Sequence, residues 1–200
     1  VLLAGATAML PVYARDILMV GPDGLGQLRA APAVGASAVA LMLTFRPLRH
    51  NVGAKMLWAV VVFGIATIGF GLSHEIGTHV FGDARIGFLN MGAGMAVALV
   101  MLVVLGASDM LSVYVRSSLV QLNTPDDMRG RVSSVSGLAI SASNELGELQ
   151  SGLAAAVLGP VGAVVFGGFG AIFVTAIWAG LFPELKNART FEPQYRGKSP

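Results

Sequence analysis

The sequence predicts an all-α membrane protein, a bundle of helices that crosses the bilayer several times. Of its 200 residues, 54% are hydrophobic and 12% are charged, whereas a typical soluble domain carries about 25% charged residues. The mean hydropathy of +0.73 and the 26 glycines are typical of closely packed membrane helices. The net charge of +2 is small. We therefore expect the lipid bilayer as a partner and no nucleic acid.

Six apolar segments follow one another, and each is separated from the next by turn or charged residues. The first is too short to span, because a spanning helix needs about 20 residues, so we expect a helix truncated at the start of a longer protein. Arg15, Asp16, Pro22 and Asp23 predict a loop over 14–26. The predicted spans are 1–13 (partial), 25–45, 56–73, 92–122, 132–158 and 161–182, followed by a polar tail at 183–200.

The remaining connections are predicted from their polar residues. Residues 46–55 form a short basic turn, and 74–85 form a polar loop. The fourth span is long enough to be tilted, with 86–91 as an interfacial lead-in. Pro125 marks the turn at 123–131, and Gly159 with Pro160 ends the fifth span.

The basic residues predict the orientation, because cytoplasmic loops of membrane proteins are enriched in Lys and Arg. Nine of the 13 lie in alternate connections and in the tail. These connections should therefore be cytoplasmic, together with the C-terminus. The other connections contain Arg15 and Arg85, with Arg29 close by.

Polar residues recur along one face of the fifth span. Their spacing is i, i+3, i+4, i+7 and i+11, and they are Ser141, Asn144, Glu145, Glu148 and Gly152. Two neighbouring glutamates cannot both ionise cheaply in a low-dielectric site, so we expect one of them to hold a proton near neutral pH. Carboxylates inside a membrane usually mark a pathway for a proton, ion or substrate. The alternative is a hydrogen-bonded pair that fixes helix packing.

Two other spans carry charges. On the fourth, Asp109, Ser112 and Arg116 share a face; Asp109 is a candidate site residue and Arg116 its candidate countercharge. Arg116 could instead extend to the lipid headgroups. Arg29, near the outer end of the second span, could lie at a cavity mouth or extend to the headgroups in the same way.

The remaining sequence patterns either predict helix packing or argue against an enzyme active site and a metal site. The fifth span has small residues at steps of four, typical of close helix packing: Ala139, Ser143, Gly147, Ser151, Ala155 and Gly159. His74 and His79 are five residues apart, whereas the zinc-protease motif needs four. All three histidines are expected in loops, and there is no cysteine and no phosphate-binding glycine motif. We therefore expect no enzyme, no metal site and no cofactor.

Four segments resemble one branch of the major facilitator superfamily, the enterobactin-exporter-like and macrolide-efflux-like proteins of bacteria. They are LPVYARDIL at 10–18, GASDM at 106–110, TPDDMRGRV at 124–132 and SNELGELQSG at 143–152. The resemblance implies helices seven to twelve of a twelve-helix transporter, in which a substrate cavity lies between two six-helix halves. It also implies proton-coupled export of a small amphipathic molecule across the bacterial inner membrane. The missing N-terminal half would be a partner.

The resemblance further implies two cytoplasmic gate loops. The first contains Arg46 and Arg49, with Phe45 where the family usually has an acidic residue. The second contains Asp126, Arg129 and Arg131, whose side chains would form gate salt bridges or an ordinary solvated turn.

Two other classes of function are open to the sequence. A non-transporting assembly or signalling partner would use the small-residue ladder to bind other helices. A membrane-embedded enzyme would need a nucleophile or metal cluster, and the sequence offers neither.

Overall fold

The computed structural model describes residues 5–48, 51–82, 85–86 and 91–181. It confirms an all-α membrane bundle, because almost every described residue is helical and four helices are long and apolar enough to cross a bilayer. These are α3 (Gly21–Phe45), α4 (Val52–Gly71), α6 (Ala93–Leu122) and α7 (Arg129–Leu181). The predicted tail at 183–200 lies outside the described residues.

The chain before α3 is more helical than predicted. It forms α1 (Gly5–Ala8), α2 (Leu10–Val12) and a π-helical turn (Tyr13–Ile17). The loop predicted over 14–26 is therefore wrong except at residues 18–20. Pro22 and Asp23 lie in the first turn of α3, where proline fits without losing a hydrogen bond and an acid complements the helix dipole. Gly21, the first residue of α3, has a positive φ of 69°, a conformation that glycine adopts without steric cost.

The polar loop predicted at 74–85 is also wrong over most of its length. Helix α5 (Ser73–Phe81) occupies most of this segment, and Gly82, with φ 60°, caps its C-terminal end. His74 and His79 therefore lie on a helix rather than in a loop. The short helix is amphipathic, with Ser73 and Gly77 buried and both histidines exposed. His50 lies outside the described residues.

Two helices begin earlier than the sequence indicates. Helix α4 begins at Val52, which places Lys55 in its first turns rather than in the basic turn at 46–55. Helix α7 begins at Arg129, so Arg129 and Arg131 are helical rather than part of the turn at 123–131. A short antiparallel pair, β1 (Arg85–Ile86) with β2 (Met91–Gly92), precedes α6.

Helix α7 consists of two helical stretches that meet at a kink. Gly159 is non-helical, with φ 75° and ψ 168°, and Pro160 follows it. This is where the sequence predicts the end of the fifth span. Of the buried residues in α7, only Gly147 precedes the kink. The first stretch is therefore far more exposed than the second.

Helix α6 is the centre of the bundle, packing against α3, α4 and α5. Glycines allow the closest approaches. A side chain on Gly35 of α3 would collide with the backbone of Val103, and one on Gly106 of α6 would collide with the backbone of Pro32. Helices α4 and α7 meet similarly, because a Cβ on Gly64 would lie 2.9 Å from the carbonyl oxygen of Gly168. Small residues thus set the helix separations, as is usual in membranes.

Tyr13 fixes the N-terminal segment to the bundle. Its side chain is fully buried, and its hydroxyl donates a hydrogen bond of 2.9 Å to the carbonyl oxygen of Gly71. Gly71 is the last residue of α4, where carbonyls lack partners within the helix. The phenol ring lies 4.5 Å from the ring of Phe70, measured between centroids.

Candidate functional site

A cavity of about 690 Å³ lies among α1, α3, α4, α6 and α7. Its walls are mixed. Phe63, Leu105 and Val113 are apolar, whereas Asp109, Arg116, Asn144 and Glu148 are charged or polar. The cavity therefore brings together four of the five residues that the sequence predicts for the site.

The α6 wall carries the pair of opposite charges. Asp109 and Arg116 are seven residues apart, which places them on one face of the helix, and both line the cavity. Among the described residues, Arg116 forms no ion pair within 4.0 Å. Its charge therefore remains available to a third group inside the cavity.

The α7 wall divides the predicted polar stripe. Asn144 and Glu148 line the cavity, and they are four residues apart on one helix face. These two residues and Glu145 are all exposed, but Glu145 is not among the lining residues. It lies about 100° around the helix from Asn144, on the side of the exposed Leu138 and Leu149. The two glutamates therefore face different surroundings.

Several lining residues were not predicted as site residues. Ser143 belongs to the small-residue ladder in the sequence, and Pro32 and Phe63 lie within the predicted spans 25–45 and 56–73, yet all three line the cavity. Ser143 lies about 100° around the helix from Asn144 and about 140° from Glu148, so periodicity alone does not group it with them. Pro32 and Phe63 belong to other helices, so only the packing of α3 and α4 against α6 identifies them.

The small-residue ladder on α7 packs within the chain. Gly147 is buried, and the Ser151 hydroxyl donates to the Gly147 carbonyl at 2.8 Å. Ala155 packs against the hydrophobic core, and α1 packs against α7. The ladder brings α7 close enough to close one side of the cavity.

Arg29 and Arg46 are exposed and are not among the residues that line the cavity. Arg29 lies on α3. Arg46 follows the end of α3, where its backbone N–H donates to the Met42 carbonyl and its side chain is exposed. Arg49 lies outside the described residues.

The second gate loop forms a local ion pair. The Arg129 guanidinium lies 2.7 Å from an Asp126 carboxylate oxygen, and its Nε donates to the Gln121 carbonyl at 3.2 Å. Arg129 thus links the turn to the end of α6. Arg131 is exposed, and among the described residues it forms no ion pair within 4.0 Å.

Metal binding has no candidate centre in the described part of the chain, where no three acidic, histidine or cysteine side chains come together. No family model, curated protein or solved structure matches the chain.

Proposed function

We propose that this chain is the C-terminal half of a secondary active transporter of the major facilitator type. It would export a small amphipathic molecule across the bacterial inner membrane in exchange for protons. One observation carries the proposal: Asp109, Arg116, Asn144 and Glu148 line a single cavity inside a bundle of membrane-spanning length.

The cost of charge in a membrane supports this proposal. An acidic side chain at the bilayer centre costs a few kcal/mol or more, so such residues rarely persist without a role in moving protons or substrates. Asp109 and Glu148 reach the cavity from two different helices. A proton that neutralises either carboxylate changes the charge of the cavity, which is what coupling to a proton gradient requires.

The mixed walls support an amphipathic substrate. Phe63, Leu105 and Val113 offer apolar surface that favours the body of such a molecule. The polar side chains from α6 and α7 would orient its polar end. When both acids are ionised they outnumber Arg116, so the cavity favours a substrate that is neutral or cationic at that end.

The surface of the first stretch of α7 supports a second half beside this one. Leu138, Leu146 and Leu149 are exposed there, with Glu145 among them. Lipid would cover the leucines readily but would leave the carboxylate in hydrocarbon. A neighbouring protein half covers both kinds of side chain.

The test is substrate-dependent proton flux by the complete protein in proteoliposomes. Glu148→Gln and Asp109→Asn should abolish flux while membrane insertion is retained. Glu145→Gln makes the same chemical change on the same helix but outside this cavity. It should keep most of the flux if the acids that line this cavity carry the coupling.

The outcomes separate the alternatives. Proton flux that persists in Glu148→Gln and Asp109→Asn would show that neither acid takes part in proton coupling. Flux lost only in Glu145→Gln would place coupling at the interface between halves. If a folded wild-type protein moves no proton with any amphiphile across a broad panel, the transporter proposal fails and a non-transporting membrane component replaces it.

A further inference from the structure

Two apolar grooves lie side by side on the outer surface of the bundle, away from the polar cavity. The smaller, about 230 Å³, runs between α4 and the second stretch of α7, with Leu57, Val61 and Ile172 in its walls. The larger, about 550 Å³, crosses α6 between α3 and α4.

Trp58 separates the two grooves. It lines both of them and is 68% exposed. An exposed tryptophan near the end of a spanning helix is typical of the membrane interface, where the ring contacts acyl chains and the indole N–H meets the polar layer. The grooves therefore begin at interface depth and extend along the apolar part of the bundle.

Lys55 is the one charged residue that lines either groove. It lies one turn before Trp58 on α4, about 4.5 Å nearer the end of the helix. Its side chain is exposed, and within the described residues it forms no ion pair. A cation this close to a helix N-terminus opposes the helix dipole. Its position therefore does not stabilise α4, and its charge is available to an anion outside the protein.

We propose that this face binds one anionic phospholipid, with its two acyl chains in the two grooves on either side of Trp58 and its phosphate on Lys55. The number of grooves matches the number of chains. Lys55 lines the larger groove one turn before Trp58 and offers one cation for one phosphate, and basic side chains between membrane helices commonly hold anionic headgroups. The site is separate from the polar cavity and does not depend on the transport proposal.

The experiment measures quenching of Trp58 fluorescence by lipids brominated on their acyl chains. Trp178→Phe leaves Trp58 as the single tryptophan, because the chain contains two. The protein is reconstituted into phosphatidylcholine vesicles that contain brominated phosphatidylglycerol or, at equal mole fraction, brominated phosphatidylcholine. We expect an apparent affinity about fivefold higher for the anionic lipid, the contribution of one basic residue near a membrane surface.

Four variants identify the contacts. Lys55→Gln should remove the preference, and Lys55→Arg should keep it. Arg15→Gln removes an exposed cation that lies in the π-helical turn before α3 and lines neither groove, and it should also keep the preference. Ala176→Phe fills the smaller groove and should weaken quenching by both lipids, with circular dichroism confirming the fold of each variant.

Three results would overturn the proposal. Equal quenching by both lipids in the parent protein would mean that Lys55 selects no headgroup. An absence of quenching by either lipid would mean that another protein covers Trp58. A preference that survives Lys55→Gln would assign the headgroup to a different cation and reject the site as described.

Discussion

Replacing Gly106 by alanine should force α3 and α6 apart. A Cβ at this position would lie 2.6 Å from both the Cα and the carbonyl carbon of Pro32. Carbon atoms prefer separations of about 3.5–4.0 Å, so the helices must separate by roughly 1 Å. The obstacle is backbone, which cannot rotate away as a side chain could.

The size of the effect follows from two opposing contributions. Overpacking a tight core costs about 1–3 kcal/mol, whereas alanine gains at most about 1 kcal/mol over glycine from helix propensity. We expect a net loss of about 2 kcal/mol, since the contact with Pro32 leaves no easy relaxation. Gly152 is the control. It is also within a helix, but a Cβ there meets nothing within 4 Å, so Gly152→Ala should be neutral or slightly stabilising.

The assay is the free energy of unfolding in mixed micelles, measured by titration with a denaturing detergent and followed by tryptophan fluorescence. Gly106→Ala should unfold at a lower detergent fraction than the wild type. Because Gly106 and Pro32 both line the polar cavity, its substrate affinity should change as well. If Gly106→Ala is as stable as Gly152→Ala, the close approach of α3 and α6 is not what holds the bundle together.

Two further substitutions test local contacts by the same unfolding assay. Tyr13→Phe should lower the free energy of unfolding by about 0.5–1.5 kcal/mol. The substitution removes the hydrogen bond to Gly71 but keeps the ring contact with Phe70. A loss of stability larger than that of Tyr13→Ala would contradict this account. Asp126→Asn should change the free energy of unfolding by less than about 1 kcal/mol, because the ion pair between Asp126 and Arg129 is solvent-exposed. A larger loss would show that another part of the protein buries the turn.

The sequence predicts the fold class and the polar faces of α6 well. The five full-length spans predicted from hydropathy correspond to four long helices, because the fifth and sixth both lie in α7. The seven-residue spacing of Asp109 and Arg116 predicts that they share a helix face, and both line the cavity. Local signals were harder to interpret, because Pro22 and Asp23 fit both a loop and the first turn of a helix. In α3 they begin the helix.

The polar stripe on α7 shows what sequence periodicity cannot predict, namely which of its residues line the cavity. Residues spaced at i, i+3, i+4 and i+7 spread over a wide arc of the helix surface, and neighbouring helices decide which part of the arc is enclosed. Asn144 and Glu148 line the cavity together with residues of α3 and α6, whereas Glu145 does not line it. That choice depends on the glycine contacts that set the positions of α3 and α6, which no pattern within α7 encodes.

The kink at Gly159 gives the cavity walls unequal stiffness. The wall made by α3 and α6 is locked by backbone contacts at Gly35 and Gly106. The opposite wall belongs to the first stretch of α7, in which Gly147 is the one buried residue. We therefore expect any change in the width of the cavity beside Glu148 to come from the first stretch of α7, moving about the kink at Gly159, rather than from the crossing of α3 and α6.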